Sequence, residues 1–85
     1  MWQVLITKSA AKELKKIPKS VVEIYQVLVD DLKTQGPAPM GWYVKTLKGR
    51  EELSIRLNRE YRVLVLVVEP DLIVVKIAHR KEAYE

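Results

Sequence analysis

The amino-acid sequence predicts one α+β domain, in which a pair of helices packs on one face of a mostly antiparallel sheet. Two observations predict this class. Two amphipathic helical patterns follow one another in the first half of the chain, and four strand patterns joined by short turns fill the second half. Helices segregated from strands along the sequence are typical of α+β domains. The 85 residues suit a single domain, which we place at residues 1–85.

The first half of the chain predicts an N-terminal strand followed by a helix hairpin. Residues 2–6 alternate between two faces, which indicates a short strand. Thr7 or Ser9 can cap a first helix, Pro18 ends it, and a second helix follows as far as Gly36. Apolar residues repeat along the second helix at the spacing of one helical face. They are Val21, Ile24, Tyr25, Leu28, Val29 and Leu32.

The second half predicts a four-stranded, mostly antiparallel sheet. Residues 42–47 form a plausible first strand of this set, and residues 53–57 alternate cleanly between apolar and polar side chains. Residues 61–68 are apolar on both faces apart from Arg62, which indicates a central strand. A last, almost wholly apolar strand covers residues 72–78.

Composition narrows the classes of function. The net charge is +4, which favours a polyanionic or acidic partner but also suits ordinary solubility. The absence of Cys excludes disulfides and thiolate zinc sites, and a single His argues against catalytic zinc. We therefore expect no metal and no cofactor. With no signal peptide or membrane-spanning run in view, we expect a cytoplasmic protein without membrane contact.

Two arginines flank the hairpin between the second and third of these four strands. If residues 58–60 form a three-residue loop, Arg56 lies directly opposite Arg62 and the pair forms a phosphate-sized positive notch. A two-residue loop separates them. The alternative to an anion site is neutralisation by nearby glutamates. These are Glu51, Glu52 and Glu60.

A second group of candidate residues lies at the end of the last strand. His79 suits protonation of a leaving oxygen near neutral pH, although a lone His at a strand end is more often a surface residue. Arg80 can reach the edge of the same face as the arginine pair, and Tyr84 can exchange a proton if nearby cations lower its pKa.

Further basic residues are candidates for binding a nucleic-acid backbone, where such side chains give most of the affinity. Lys45 shares a face with Tyr43, Lys48 and Arg50 flank the turn at Gly49, and Arg59 lies in the next loop. Charged residues around a turn are, however, often simply exposed to solvent and bind no partner. Because the sequence has no Gly-rich phosphate loop and no metal motif, hydrolytic chemistry here must use Arg, Lys, Tyr and His. That set suits RNA cleavage through the 2′-hydroxyl.

Four segments resemble the RelE/ParE superfamily of toxins from type II toxin–antitoxin systems. They read A-x-K-x-L-x-K-I-P in residues 10–18, T-L-K-G in residues 46–49, I-R-L-N-R-E-Y-R-V-L in residues 55–64 and I-A-H-R-K-E-A-Y in residues 77–84. Each segment is loose, but their order and spacing cover nearly the whole chain.

Similarity to the RelE branch implies a compact fold like that of microbial ribonucleases and a ribosome-dependent endonuclease that cuts mRNA and inhibits translation. It implies a cognate antitoxin, the ribosome and mRNA as partners, with a toxin–antitoxin hetero-oligomer. The residues that match the family's catalytic positions are Arg56, Arg62, Arg80 and Tyr84, with His79 where many relatives also carry His. Its basic residues near the second strand match Lys45 and Lys48.

Two departures leave alternatives open. Some relatives carry a general-base Glu near the position of Lys45, and since this chain has none, Tyr84 or a Lys has to serve. The ParE branch inhibits DNA gyrase instead of cutting RNA, and a degenerate member only binds its antitoxin. Arg80 together with Tyr84 favours the RelE branch.

Overall fold

The structure, a computed structural model, describes residues 2–82 as two helices on one five-stranded sheet. In chain order the elements are β1 (Gln3–Ile6), α1 (Lys8–Leu14), α2 (Lys19–Gln35), β2 (Val44–Thr46), β3 (Leu53–Arg56), β4 (Tyr61–Val68) and β5 (Asp71–His79). The strand order is β1-β5-β4-β3-β2, with β1 parallel to β5 and the other neighbours antiparallel.

The predicted α+β class is confirmed, and the predicted strand count needs one correction. The four C-terminal strands form the antiparallel part of the sheet, but β1 joins them as a fifth strand at the edge beside β5. Parallel neighbours need a long crossover connection, and the chain between β1 and β5 contains both helices and three strands. The sheet is therefore mixed.

Local signals set the helix ends. The Thr7 side-chain oxygen accepts a hydrogen bond from the Ala10 N–H at 3.1 Å, so Thr7 is the cap of α1. Helix α2 follows Pro18 and ends at Gly36, which has a φ of 86° and donates its N–H to the Leu32 carbonyl at 2.9 Å. Within residues 2–82, no helix is both long and apolar enough to cross a membrane.

The core lies between the helix pair and one face of the sheet. Fully buried members include Leu28 and Leu32 from α2 and Ile55, Val63 and Leu72 from the sheet. Burying one such side chain stabilises the fold by about 1.5–3 kcal/mol. Since both helices lie on this face, the described residues leave the opposite face uncovered. We call it the open face.

The β3–β4 hairpin has a three-residue loop at residues 58–60, which is the first of the two alternatives that the sequence left open. Ile55 pairs with Val63 on the core side, and Arg56 pairs with Arg62 on the open face. The Asn58 side-chain oxygen closes the loop by accepting hydrogen bonds from the Glu60 and Tyr61 N–H groups at 2.9 and 2.8 Å.

Candidate functional site

A cavity of about 480 Å³ lies on the open face, across β2, β3 and β4 and the tail that follows β5. We call it the cationic notch. Its lining residues are Tyr43, Lys45, Ser54, Arg56, Arg62, Arg80 and Lys81. All the ionisable groups among them apart from Tyr43 are positive at neutral pH. The notch is therefore a strongly positive concavity built from several chain segments.

Arg62 is the fixed member of the notch. It is only 8% exposed, and its Nη1 donates hydrogen bonds to the Asn58 carbonyl at 2.6 Å and the Tyr61 carbonyl at 3.1 Å. Both acceptors are neutral main-chain groups. The hydrogen bonds fix the guanidinium but do not cancel its charge, which remains available to an anion.

Arg56 lies directly across the strand pair from Arg62, where two like charges destabilise a sheet. The two side chains have different partners. Arg62 bonds to the hairpin loop, while the Arg56 Cζ lies 4.5 Å from the centre of the Tyr43 ring. This cation–π contact holds Arg56 beside an aromatic face and not against a carboxylate.

The tail after β5 adds Arg80 to the notch. Ala78 pairs with Arg62, and Arg80, two residues further on, lies on the same face. Its main-chain N–H donates to the Glu60 carbonyl, which ties the tail to the β3–β4 loop. Tyr84, the predicted proton-handling residue, lies outside the described residues.

A second cavity continues from the notch over the end of the hairpin. It is lined by Arg56, Arg59, Glu60, Arg62 and Arg80. Arg59, which the sequence offered as an RNA-binding residue, therefore lies on the same surface as the arginine pair. Of the three glutamates that offered neutralisation, Glu60 is the one that lines this cavity, facing four arginines.

The structure does not bring His79 into the notch. His79 pairs with Tyr61 on the helix-covered face, where the two rings meet edge to face with centroids 5.8 Å apart. It lines a separate cavity with Glu13 and Lys16. Its Nδ1 accepts a hydrogen bond from the Lys81 N–H at 3.3 Å, so it contacts the tail from the opposite side.

The basic residues around the Gly49 turn divide into two groups. Lys45 lines the notch, as its shared face with Tyr43 predicted. Lys48 and Arg50 are exposed in the β2–β3 turn and do not line it.

Sequence reasoning missed three lining residues as members of the site. The alternation of β2 and β3 carried a signal for Tyr43 and for Ser54, which pairs with Lys45 and precedes Arg56 by two residues. Lys81 lies beyond β5, where alternation gives no guidance. Among residues 2–82, no group of three His, Cys, Asp or Glu residues is placed to hold a metal ion.

Comparison with known proteins assigns the family. RelE1 of Methanocaldococcus jannaschii, a protein named as a toxin, is 32% identical over 87 residues that cover 99% of this chain and 96% of RelE1. The chain belongs to the RelE toxin family. This assignment confirms the predicted resemblance to toxins of toxin–antitoxin systems. No protein-family model matches the chain.

Two solved structures of other proteins have the same architecture as this RelE-family chain. The RelB–RelE antitoxin–toxin complex from Methanococcus jannaschii has a chain that is 22% identical, with a TM-score of 0.82 and 94% of each chain covered. The archaeal RelE–RelB complex from Pyrococcus horikoshii OT3 has one that is 24% identical, with a TM-score of 0.80 and 96% of this chain and 98% of that chain covered. At these identities the likeness establishes a shared fold and confirms the predicted RelE-like architecture.

Proposed function

We propose that this RelE-family protein is a ribosome-dependent endoribonuclease that cuts mRNA and thereby inhibits translation. The observation that carries the proposal is the convergence of Arg56, Arg62 and Arg80 in one notch on the open face. Guanidinium groups match phosphate oxygens with paired hydrogen bonds. Fixed positive groups also stabilise the charge that develops on a reacting phosphate.

The proposed reaction is attack of a ribose 2′-oxygen on the adjacent phosphate. The bond between the 2′-oxygen and phosphorus forms as the bond from phosphorus to the 5′-oxygen of the next nucleotide breaks. One proton leaves the 2′-hydroxyl and one reaches the departing 5′-oxygen, which suits general acid–base catalysis. The products carry a 2′,3′-cyclic phosphate and a 5′-hydroxyl, and neither a metal nor an external water enters the balance.

The arginines have distinct proposed roles. Arg62 is held by the hairpin carbonyls and serves as the fixed half of a phosphate clamp, with Arg56 as the adjustable half. Arg80 stabilises the pentacovalent phosphorane. Tyr84 handles a proton at the scissile phosphate. Lys45 is the alternative proton acceptor, because some relatives carry their general-base Glu near its position.

The remaining basic residues serve the RNA backbone. Lys48, Arg50 and Arg59 lie outside the notch lining, where they bind phosphates that flank the cut. Action on translating mRNA also places the proposed activity in the cytoplasm.

A cognate antitoxin is the proposed protein partner, in a hetero-oligomer with this chain. The two solved structures described above are antitoxin–toxin complexes, and the net charge of +4 favours an acidic partner. Co-expression with the product of the neighbouring gene should give a complex that survives size-exclusion chromatography. Two proteins that elute separately at micromolar concentration would contradict this part of the proposal.

Cleavage of mRNA on purified translating ribosomes tests the nuclease directly. We expect new 5′ ends within the translated region that accept phosphate from polynucleotide kinase, because the departing group is a 5′-hydroxyl. Arg80→Ala should lower the rate by about 10²–10³, the worth of one group that stabilises transition-state charge. Lys19→Ala is the control, since it removes one positive charge from the exposed first residue of α2, which does not line the notch.

Three outcomes count against the nuclease. They are fragments with 5′-phosphate ends, an Arg80→Ala rate equal to that of the Lys19→Ala control, and intact mRNA with DNA damage in cells that express the protein. The last outcome points to the gyrase-inhibiting branch.

A further inference from the structure

Tyr43 stands at the outer end of a row of side chains that crosses the open face. The Arg56 N–H donates to the Tyr43 carbonyl at 3.1 Å, which extends the β2–β3 pairing one residue beyond the start of β2. Arg56 in turn pairs with Arg62. Side chains directly opposite one another in antiparallel strands project from the same face. The row therefore runs Tyr43, Arg56, Arg62 across three strands.

The Tyr43 ring remains open to solvent although a guanidinium covers part of it. The residue is 59% exposed with the Arg56 Cζ only 4.5 Å from its ring centre. Its sequence neighbours Trp42 and Val44 are only partly exposed and pack against the core. An aromatic side chain exposed at the rim of a cationic notch combines the two elements of a single-strand binding surface, which are a positive groove and a stacking platform.

The spacing of the row fits one nucleotide. Neighbouring strands lie about 4.8 Å apart, so a phosphate held between Arg56 and Arg62 is one to two strand spacings from the Tyr43 ring. A nucleotide places its base about that far from its own phosphate. A phosphate in the clamp thus brings an unpaired base over Tyr43.

We propose that Tyr43 stacks on the RNA base next to the scissile phosphate and so positions the strand in the notch. This inference rests on the proposed nuclease function for its substrate. Stacking accepts any base, and its strength favours the larger rings of purines. The cleavage site should therefore show a purine preference at that nucleotide.

Binding of a short single-stranded RNA that cannot be cut tests the inference apart from catalysis. The RNA carries a 2′-deoxy nucleotide at the cleavage position, and fluorescence anisotropy at low salt reports its Kd. Tyr43→Leu should weaken binding by roughly 5- to 150-fold, the usual worth of one stacked base. Tyr43→Phe keeps the ring and should stay within about 3-fold of the original protein. The exposure of Tyr43 favours normal folding of both variants, which thermal melts verify.

An abasic nucleotide at the same position separates stacking from a merely structural role. If Tyr43 contacts the base, removal of the base weakens binding to the original protein, and Tyr43→Leu then adds less than about 2-fold. If Tyr43 acts only by holding Arg56, Tyr43→Leu costs the same on intact and abasic RNA, and the inference is overturned. Equal affinity of the original protein and Tyr43→Leu for intact RNA, or no binding of either, overturns it as well.

Cleavage on ribosomes is scored separately. If the protein binds RNA in a base-dependent way but cuts no mRNA, the stacking proposal holds and the nuclease proposal is wrong. If the protein cuts mRNA efficiently and Tyr43→Leu changes neither binding nor base preference, the stacking proposal is wrong and the nuclease proposal holds.

Discussion

Replacing Arg62 by Ala separates its structural role from its proposed role in the clamp. The side chain is 8% exposed and donates two hydrogen bonds, to the carbonyls of Asn58 in the hairpin loop and of Tyr61 at the start of β4. Hydrogen bonds from a charged donor contribute about 1.5–3 kcal/mol. Both acceptors belong to partly exposed residues, which water reaches once the side chain is shortened, so we take the same range for the pair. The free energy of unfolding should fall by about 1.5–3 kcal/mol.

Arg56→Ala is the matched control. Arg56 is exposed, and its cation–π contact with Tyr43 contributes about 0.5–1 kcal/mol at most. Either substitution removes the repulsion between Arg56 and Arg62, so this term cancels when the two variants are compared. Arg62→Ala should therefore be the less stable variant by about 0.5–2.5 kcal/mol.

Urea unfolding followed by tryptophan fluorescence and by circular dichroism measures the difference. With an m value of about 1 kcal/mol per molar, the two midpoints should differ by roughly 0.5–2.5 M. Equal stabilities of the two variants, within about 0.5 kcal/mol, would show that the hydrogen bonds of Arg62 add nothing net and that its burial is incidental.

Three further predictions follow from other parts of the fold. Gly36→Ala should cost at least about 1 kcal/mol more than Gly41→Ala in urea unfolding, because both positions have a positive φ but only at Gly36 does a new Cβ lie 2.7 Å from the Trp2 Nε1. Thr7→Ala should lower stability by about 1 kcal/mol while Thr7→Ser does not, and urea midpoints measure both. Burial raises the pKa of Tyr25 above 10.0, so its contribution to stability is complete below pH 10.0 and is lost as pH rises through the folded-state pKa. Tyr25→Phe should accordingly flatten the alkaline loss of stability seen in urea midpoints above about pH 10, and an unchanged pH dependence would contradict this assignment.

The helices and the hairpin were predictable because each depends on local signals. The apolar stripe of α2 repeats every three or four residues, and Pro18 and Gly36 lie directly beside the two ends of the helix. The alternation of the two strands is compatible with the three-residue loop, which pairs Ile55 with Val63 and Arg56 with Arg62, but it left a two-residue loop open, and the structure decides between them. The partner of β1 was not predictable in this way, since alternation within a strand carries no information about its neighbour.

The face of the sheet on which His79 lies depends on a register shift between β4 and β5, which the apolar sequence of β5 does not reveal. The β4–β5 register shifts between Leu64 and Val65, which leaves an extra residue in β5. Val74 and Ile77 consequently both face the core although they are three residues apart. The apolar residues of β5 suit either face, so the sequence does not mark the shift. The register shift places His79 on the helix-covered face of the sheet and Arg80 on the open face.

The parallel pairing of β1 with β5 has a consequence for when the fold can be completed during synthesis. Residues 3–6 find their partners only at residues 71–74, and β5 also supplies the neighbour of β4. Contacts of such high sequence separation slow folding and delay it until the late segments are available. A nascent chain that has not yet released β5 from the ribosome lacks both the strand that joins β1 to β4 and the Arg80 side chain. The sheet and the proposed phosphate clamp on its open face can therefore be completed only after residues 71–80 have left the ribosome.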